Sequence, residues 1–288
     1  MSKGQSSSHA VRWILVVMIL SVGCWFSGGR SAIAQTASPA AAQGRADNEY
    51  QVGALLWTQS SAEYRALAYQ TFLLARLRLD QDLIHHRIRR GASPRAAVIV
   101  DVDETVMDNS RYQAELVLRR LPYETASWRA WCERAEAGAV PGAIDFLSYA
   151  ARRGMRVFYI TNRRQPEKAG TVANLKKLGF PDVSEESVMV REDGMTSSKE
   201  SRRQKVARRY RIALLIGDNL NDFNDNFAGK AIPERAAQVD LERAQFGTRF
   251  IVVPNPMYGD WESAVYQYKS LIGEEQKRAY RRAGLKGL

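Results

Sequence analysis

Three short apolar runs, each followed at once by polar side chains, constrain this chain more than any other feature. They are Ala96-Ala97-Val98-Ile99-Val100 before Asp101, Arg156-Val157-Phe158-Tyr159-Ile160 before Thr161-Asn162, and Ile212-Ala213-Leu214-Leu215-Ile216 before Gly217-Asp218. A continuous apolar run of this length, rich in β-branched residues, reads as a strand buried on both faces. Helical spacing fills the gaps, over 143–153, 166–178 and 198–210, and Gly154 and Gly179 punctuate the first two stretches. A short strand is expected near 188–190 and a last one over 249–253, stopped by Pro254. Strands alternating with helices predict an α/β fold with a doubly wound parallel sheet, which binds ligands beyond the carboxyl ends of its strands. The polar clusters stand at those ends. No internal repeat interrupts the pattern. Upstream, Leu55, Leu56, Leu67, Phe72, Leu73, Leu77, Leu83 and Ile84 recur at helical spacing, and Gly91-Ala92-Ser93-Pro94 breaks the helix. This stripe reads as a packing helix.

The amino terminus reads as an address rather than as part of the fold. Lys3 and Arg12 precede an apolar run over 13–26, and Ala32-Ile33-Ala34 then offers a small-residue cleavage site. That order predicts a secretory signal peptide over 1–34, followed by a small, polar linker over 35–48. The apolar run is shorter than the roughly 20 residues of a spanning helix. A second cut is open at Leu20-Ser21-Val22-Gly23-Cys24, which loosely follows a lipobox and would lipidate Cys24. Either processing exports the protein, to the periplasm or medium in one case and to the outer membrane as a lipoprotein in the other. Apolar residues never run far enough for several spans, so a multi-pass transporter is excluded.

Composition narrows the chemistry. The 288 residues hold 42 Lys+Arg against 31 Asp+Glu, a net charge of +11, which favours anionic partners. Removing 1–34 takes away Lys3, Arg12 and Arg30 and no acid, leaving +8. Cys132 is then alone, unable to form an internal disulfide, and is expected to be a buried inert thiol. His85 and His86 are adjacent on a helix and therefore splayed apart, a poor arrangement for activating a thiol.

The carboxylates carry the chemistry. Period-two alternation sends Asp101 and Asp103 to one side and Val102 to the other. Two carboxylates so close repel unless a cation lies between them. One could then attack phosphorus while its neighbour donates a proton to the leaving oxygen. Asp218 and Asp222, in Gly217-Asp218-Asn219-Leu220-Asn221-Asp222-Phe223, follow another buried strand. An all-oxygen donor set drawn from two strand ends suits Mg²⁺. Thr161, Asn162 and Lys199 supply the hydroxyl, the backbone N–H groups and the cation that phosphoryl oxygens need.

Taken together, D-x-D-x-T, T-N after a strand, a lysine and G-D-N-x-x-D resemble the four motifs of the haloacid dehalogenase (HAD) superfamily. Trp57-Thr58-Gln59-Ser60-Ser61-Ala62-Glu63-Tyr64, Asp101 to Thr105 with Asp108-Asn109-Ser110, Phe158 to Arg163, and Gly217 to Phe223 resemble the bacterial class C acid phosphatases and lipoprotein-type 5′-nucleotidases. The resemblance runs over about 50–275. It implies a HAD-like domain over 49–288, with a small, mostly helical cap from about 49–92, 106–140 and the carboxyl terminus. It implies Asp101 as the nucleophile and Asp103 as general acid and base, with the Asp103 backbone carbonyl also on Mg²⁺. Asp218 would ligate the metal directly and Asp222 would hold a metal-bound water. Thr161 and Lys199 would bind the phosphoryl group, with Lys205 a nearby alternative to Lys199. Trp128 and Tyr258 fall where the family holds a nucleobase between aromatic rings. Gly259-Asp260 stands where relatives tend to have Gly-Gly, so the rim of that pocket differs.

The expected function is hydrolysis of nucleoside monophosphates, nicotinamide mononucleotide among them, and of related small phosphate monoesters. The resemblance implies an acidic working pH. Two alternatives stay open: a broad-range phosphatase without a base pocket, and a basic, non-catalytic binding protein of the envelope. No specific nucleic-acid partner is expected, a membrane partner only with lipidation at Cys24, and a homodimer remains open.

Overall fold

The computed structural model describes residues 48–88 and 95–288. The signal peptide over 1–34, Cys24, all of the linker but Asn48, and the Gly91–Pro94 break lie outside the described residues. Among the described residues, no helix is long and apolar enough to cross a membrane.

The chain enters through α1 (Val52–Ser60) and α2 (Ala62–Ile88), then forms β1 (Ala96–Val100). Strands β2 (Met107–Asp108) and β3 (Gly138–Ala139) bracket α3 (Ser110–Arg119) and α4 (Thr125–Arg134). Next come α5 (Ala143–Arg152), β4 (Arg156–Arg164), α6 (Lys168–Leu178), β5 (Val188–Arg191) and α7 (Glu200–Ala207). The chain closes with β6 (Arg211–Gly217), α8 (Ile232–Leu241), β7 (Phe250–Val252), α9 (Asp260–Val265) and α10 (Glu274–Ala283). Five strands form one parallel sheet in the order β5-β4-β1-β6-β7. The expected α/β doubly wound architecture is what forms.

Alternation along β1 divides the core. Val98 and Val100 join one cluster with Val157, Tyr159, Leu214 and Ile216, covered by α2, α5 and α6. Ala97 and Ile99 join the opposite cluster with Phe158, Ile160 and Leu215, together with Val206 of α7. Both faces of β1 are thus apolar, as a central parallel strand requires. Because β4 lies on one side of β1 and β6 on the other, the strand order reverses at β1. The carboxyl ends of these three strands open into the crevice where such sheets hold ligands.

Two boundaries and one packing assignment differ most from the sequence expectation. β4 continues past Ile160 to Arg164, because Arg164 still pairs with Arg191 of β5. The helical stripe upstream breaks at Ser61, whose hydroxyl accepts from the Tyr64 N–H and donates to the Trp57 carbonyl. Segment 62–88, expected within the cap, packs on the sheet instead. Its buried face is Ala68, Phe72, Ala75 and Leu79, while Leu73, Leu77 and Ile84 are exposed. Alanines let the helix axis approach the sheet closely, which bulkier leucines would prevent. The insertion between β1 and α5 leaves and returns as the antiparallel pair β2–β3, with Met107 opposite Ala139. Cys132 is buried on α4 as a free thiol, and burial pushes it up to about 12, so it stays protonated and inert.

Candidate active site

Asp101 is buried at the end of β1, its N–H bonded to the Ile216 carbonyl of β6. The chain then turns sharply. Glu104 adopts a left-handed backbone (φ 57°) and its N–H bonds the Met107 carbonyl. The turn brings Thr105 back beneath Asp101. The Thr105 hydroxyl lies 3.2 Å from Asp101 Oδ2 and 3.0 Å from Asp218 Oδ1, and it accepts from the Asp218 N–H at 3.0 Å. One buried hydroxyl therefore locks the ends of β1 and β6 together.

Lys199, at the start of α7, is buried and its ammonium bridges Asp101 and Asp222, the latter at 2.7 Å. Burial alone would lower its pKa, but the two carboxylates outweigh that and hold it above the usual lysine range. Lys205, the sequence alternative, is exposed and reaches Glu192 at 3.5 Å. Asp222 sits behind Gly217, where any Cβ would run into the Asp222 carboxylate. Gly217→Ala is therefore expected to push Asp222 off Lys199 and reduce turnover at least about tenfold, with a stability cost of about 1–3 kcal/mol for overpacking. Thermal melts and initial rates check this.

Asp101, Asp218 and Asp222 each offer a carboxylate oxygen within 4.8 Å of the others. Burial pushes the Asp101 carboxyl up to about 7 despite Lys199, and Asp222 and Asp103 push the same way. Asp218 is raised well above the usual carboxylate range by burial, then by Asp222 and Asp101, although Asn255 Nδ2 donates to it at 2.8 Å. Three converging carboxylates with one ammonium among them are short of positive charge. An all-oxygen donor set in that state fits a hard divalent cation. The Asp103 carboxylate stands apart from this cluster: Arg163, Asn109 and Thr161 hold it. Its expected metal contact involved only the backbone carbonyl.

The remaining expected residues surround one cavity of about 860 Å³, whose wall includes Asp101, Asp103, Asn162, Lys199, Trp128 and Tyr258. Thr161 does not line the cavity: it is fully buried behind Asp103, and its hydroxyl donates to Asp103 Oδ2 at 3.2 Å. Asn162 is exposed and braced by Ser197 and Arg202. Trp128 packs edge-on against Tyr112 with ring centroids 5.1 Å apart. The Tyr258 hydroxyl donates to Glu104, so this cavity-wall ring is tied to the turn after β1. Burial raises Glu104 well above the usual carboxylate range, with Asp103 and Asp218 adding to it.

Sequence reasoning assigned no role to Arg163, Asn109, Arg202 or Asn255. Asn109 follows Asp108 in Asp108-Asn109-Ser110 and Arg163 closes the stretch Phe158 to Arg163, so the sequence marks their positions although not their partners. Arg202 donates to the Thr161 carbonyl at 2.5 Å and the Ser198 carbonyl at 2.9 Å, fixing the end of β4 against the loop that carries Lys199.

Comparison with known proteins adds an independent line. The family described as HAD superfamily, subfamily IIIB (Acid phosphatase) matches residues 31–261. The class C acid phosphatase from Bacillus anthracis is 38% identical, with a TM-score of 0.78 over 84% of this chain and 98% of that one. A structure of the Bacillus anthracis class C enzyme with tungstate bound is 37% identical, with the same TM-score. Acid phosphatase 1 of Solanum lycopersicum is 25% identical over 58% of this chain and 60% of its own length. The chain thus spans about three fifths of that curated relative.

Proposed function

Because the chain belongs to the acid phosphatases of HAD superfamily subfamily IIIB, we propose that it is an exported, Mg²⁺-dependent phosphomonoesterase that prefers nucleoside monophosphates and works through a phospho-Asp101 intermediate. The observation that carries this reading is the buried Asp101 carboxylate, in contact with Lys199 and set in a carboxylate cluster on the wall of a cavity with aromatic sides. The tungstate-bound relative supports it, since tungstate is a tetrahedral oxyanion of phosphate's shape.

In this reading an Asp101 oxygen attacks phosphorus, the P–O ester bond breaks, and the leaving oxygen takes a proton from the Asp103 carboxyl. The Asp103 carboxylate then removes a proton from water as that water attacks the acyl phosphate, releasing phosphate and restoring Asp101. Thr161 and Lys199 bind the phosphoryl oxygens. Asp101, the Asp103 carbonyl and Asp218 would hold a divalent cation, with Asp222 beside them, and it would supply charge that offsets the carboxylates and the phosphoryl oxygens. Trp128 and Tyr258 take the base.

The test compares phosphate release from a nucleoside monophosphate and from a small alkyl phosphate, with Mg²⁺ or with EDTA. Metal-dependent release with the nucleotide favoured is expected. Tyr258→Ala is expected to raise KM for the nucleotide about tenfold or more, since stacking contributes roughly 1–3 kcal/mol per base. KM for the alkyl phosphate is expected to stay within twofold. Equal effects on both substrates would leave a broad-range phosphatase without a base pocket.

A further inference from the structure

Arg163 is a deeply buried cation against the acid/base carboxylate, and its bonding is nearly complete. It is 3% exposed, on the same side of β4 as Thr161, two residues away. Its Nε lies 2.9 Å and one terminal nitrogen 2.7 Å from Asp103 Oδ1. That nitrogen also reaches Asn109 Oδ1 at 3.2 Å, and the other donates to the Thr171 hydroxyl at 3.1 Å. The guanidinium carbon lies 5.1 Å from the centre of the Trp128 ring. Asn109 completes the arrangement. Its Oδ1 accepts from Trp131 Nε1 at 2.9 Å as well as from Arg163, so its Nδ2 is the end that faces Asp103, at 3.0 Å.

We propose that Arg163 is the positioning residue for proton transfer: it fixes the Asp103 carboxylate toward the leaving-group oxygen and links that orientation to the Trp128 wall of the cavity. The proposal rests on the reading of Asp103 as acid and base given above. A planar fork with several fixed N–H directions sets the rotation of a carboxylate, which a single ammonium on a flexible stem does not. In this scheme Arg163 contacts the Asp103 carboxylate and neither the phosphoryl group nor the leaving oxygen. It acts through Asp103.

The discriminating measurement is the dependence of rate on the leaving group. Arg163→Lys, Asp103→Asn and the double variant are each assayed with a nucleoside monophosphate, whose alkoxide must be protonated, and with 2,4-dinitrophenyl phosphate, whose phenolate leaves without a proton. Formation of the phospho-enzyme is read as the burst of dinitrophenolate. Arg163→Lys is expected to lower kcat for the nucleotide about 10²-fold, in the range that general acid–base catalysis contributes, with KM within threefold. The dinitrophenolate burst rate is expected to stay within threefold of wild type, and the double variant to be no slower than Asp103→Asn alone.

Equal loss on both substrates, or additive losses in the double variant, would overturn the proposal. If Asp103→Asn itself slows both substrates equally, the acid/base reading fails and the proposal falls with it. If Asp103→Asn shows the leaving-group effect and Arg163→Lys does not, only the proposal fails. Should Arg163→Lys melt too low to assay, Asn109→Ser removes a neutral donor to the same carboxylate oxygen and carries the same comparison. Its nucleotide-specific loss would support the fixed-orientation mechanism, and an equal loss on both substrates would refute it.

Discussion

Asp101→Asn is expected to abolish phosphate release from every substrate, nucleotide and aryl phosphate alike, by on the order of 10⁴-fold or more, as removal of a covalent nucleophile does. The asparagine amide occupies the same volume and keeps an oxygen for the Lys199 ammonium, which contacts Asp101 and Asp222 in the native site. The fold and the cavity therefore survive while the attacking oxygen loses its nucleophilicity. Circular dichroism and a melting temperature near wild type would show that only chemistry is lost. The aryl phosphate matters as a control, because its good leaving group relieves the demand on Asp103 but not on Asp101. Turnover above about a hundredth of wild type in the asparagine protein would remove Asp101 from the mechanism.

Metal removal is expected to produce the second large effect, and its size depends on pH in a definite direction. At a Mg²⁺ concentration about a hundredfold above Kd, binding stabilises the folded state by about 2.7 kcal/mol. For a chain of this size that is a melting shift of roughly 5–10 °C. In the metal-free protein the Asp101 carboxyl lies near about 7, above its ordinary value, because burial disfavours its charge, and Asp218 is raised for the same reason. The folded state thus holds these protons more tightly than the unfolded chain. For Asp101 the stabilising contribution is complete below the ordinary carboxylate pKa of about 4 and is lost as pH rises through about 7, and Asp218 acts in the same direction. With the cation bound, the ionised carboxylates are compensated and the loss is suppressed. The gap in melting temperature between Mg²⁺ and EDTA is therefore expected to widen from pH 4.5 to pH 7.5 and to collapse in Asp218→Asn. A gap that is constant with pH, or one that persists in Asp218→Asn, would place the cation elsewhere.

The parts of this molecule legible in the sequence are those whose signal is local. A strand buried on both faces must be apolar at every position, so β1 and β6 announced themselves, and the residues that stop them are the polar ones at the crevice. Alternation predicts Asp101 and Asp103 on one side, and both do reach the cavity, although β1 ends at Val100 and the two carboxylates find different partners there. The end of β4 is hidden in the sequence because Thr161 to Arg164 look like a loop by composition, although Arg164 still pairs with Arg191. The buried face of α2 was misread for a different reason. Hydrophobicity pointed at Leu73, Leu77 and Ile84, whereas Ala68 and Ala75 go down with Phe72 and Leu79. How closely a helix may approach a sheet is a property of the pair, not of the helix.

The site divides along the same line. The sequence by itself determined the strands, the acidic residues that close them and the class of chemistry their motifs imply, because each strand and each motif is carried by residues within a few positions of one another. Only the tertiary structure decided that Lys199 rather than Lys205 lies between Asp101 and Asp222. It alone joined Arg163 to Asp103, Asn255 to Asp218 and Tyr258 to Glu104. Those pairings span tens of residues and more than a hundred in one case. They exist because the parallel order β4-β1-β6-β7 brings distant strand ends within hydrogen-bond reach, and a hydrogen bond is made only within about 3 Å, a distance no spacing along the chain encodes.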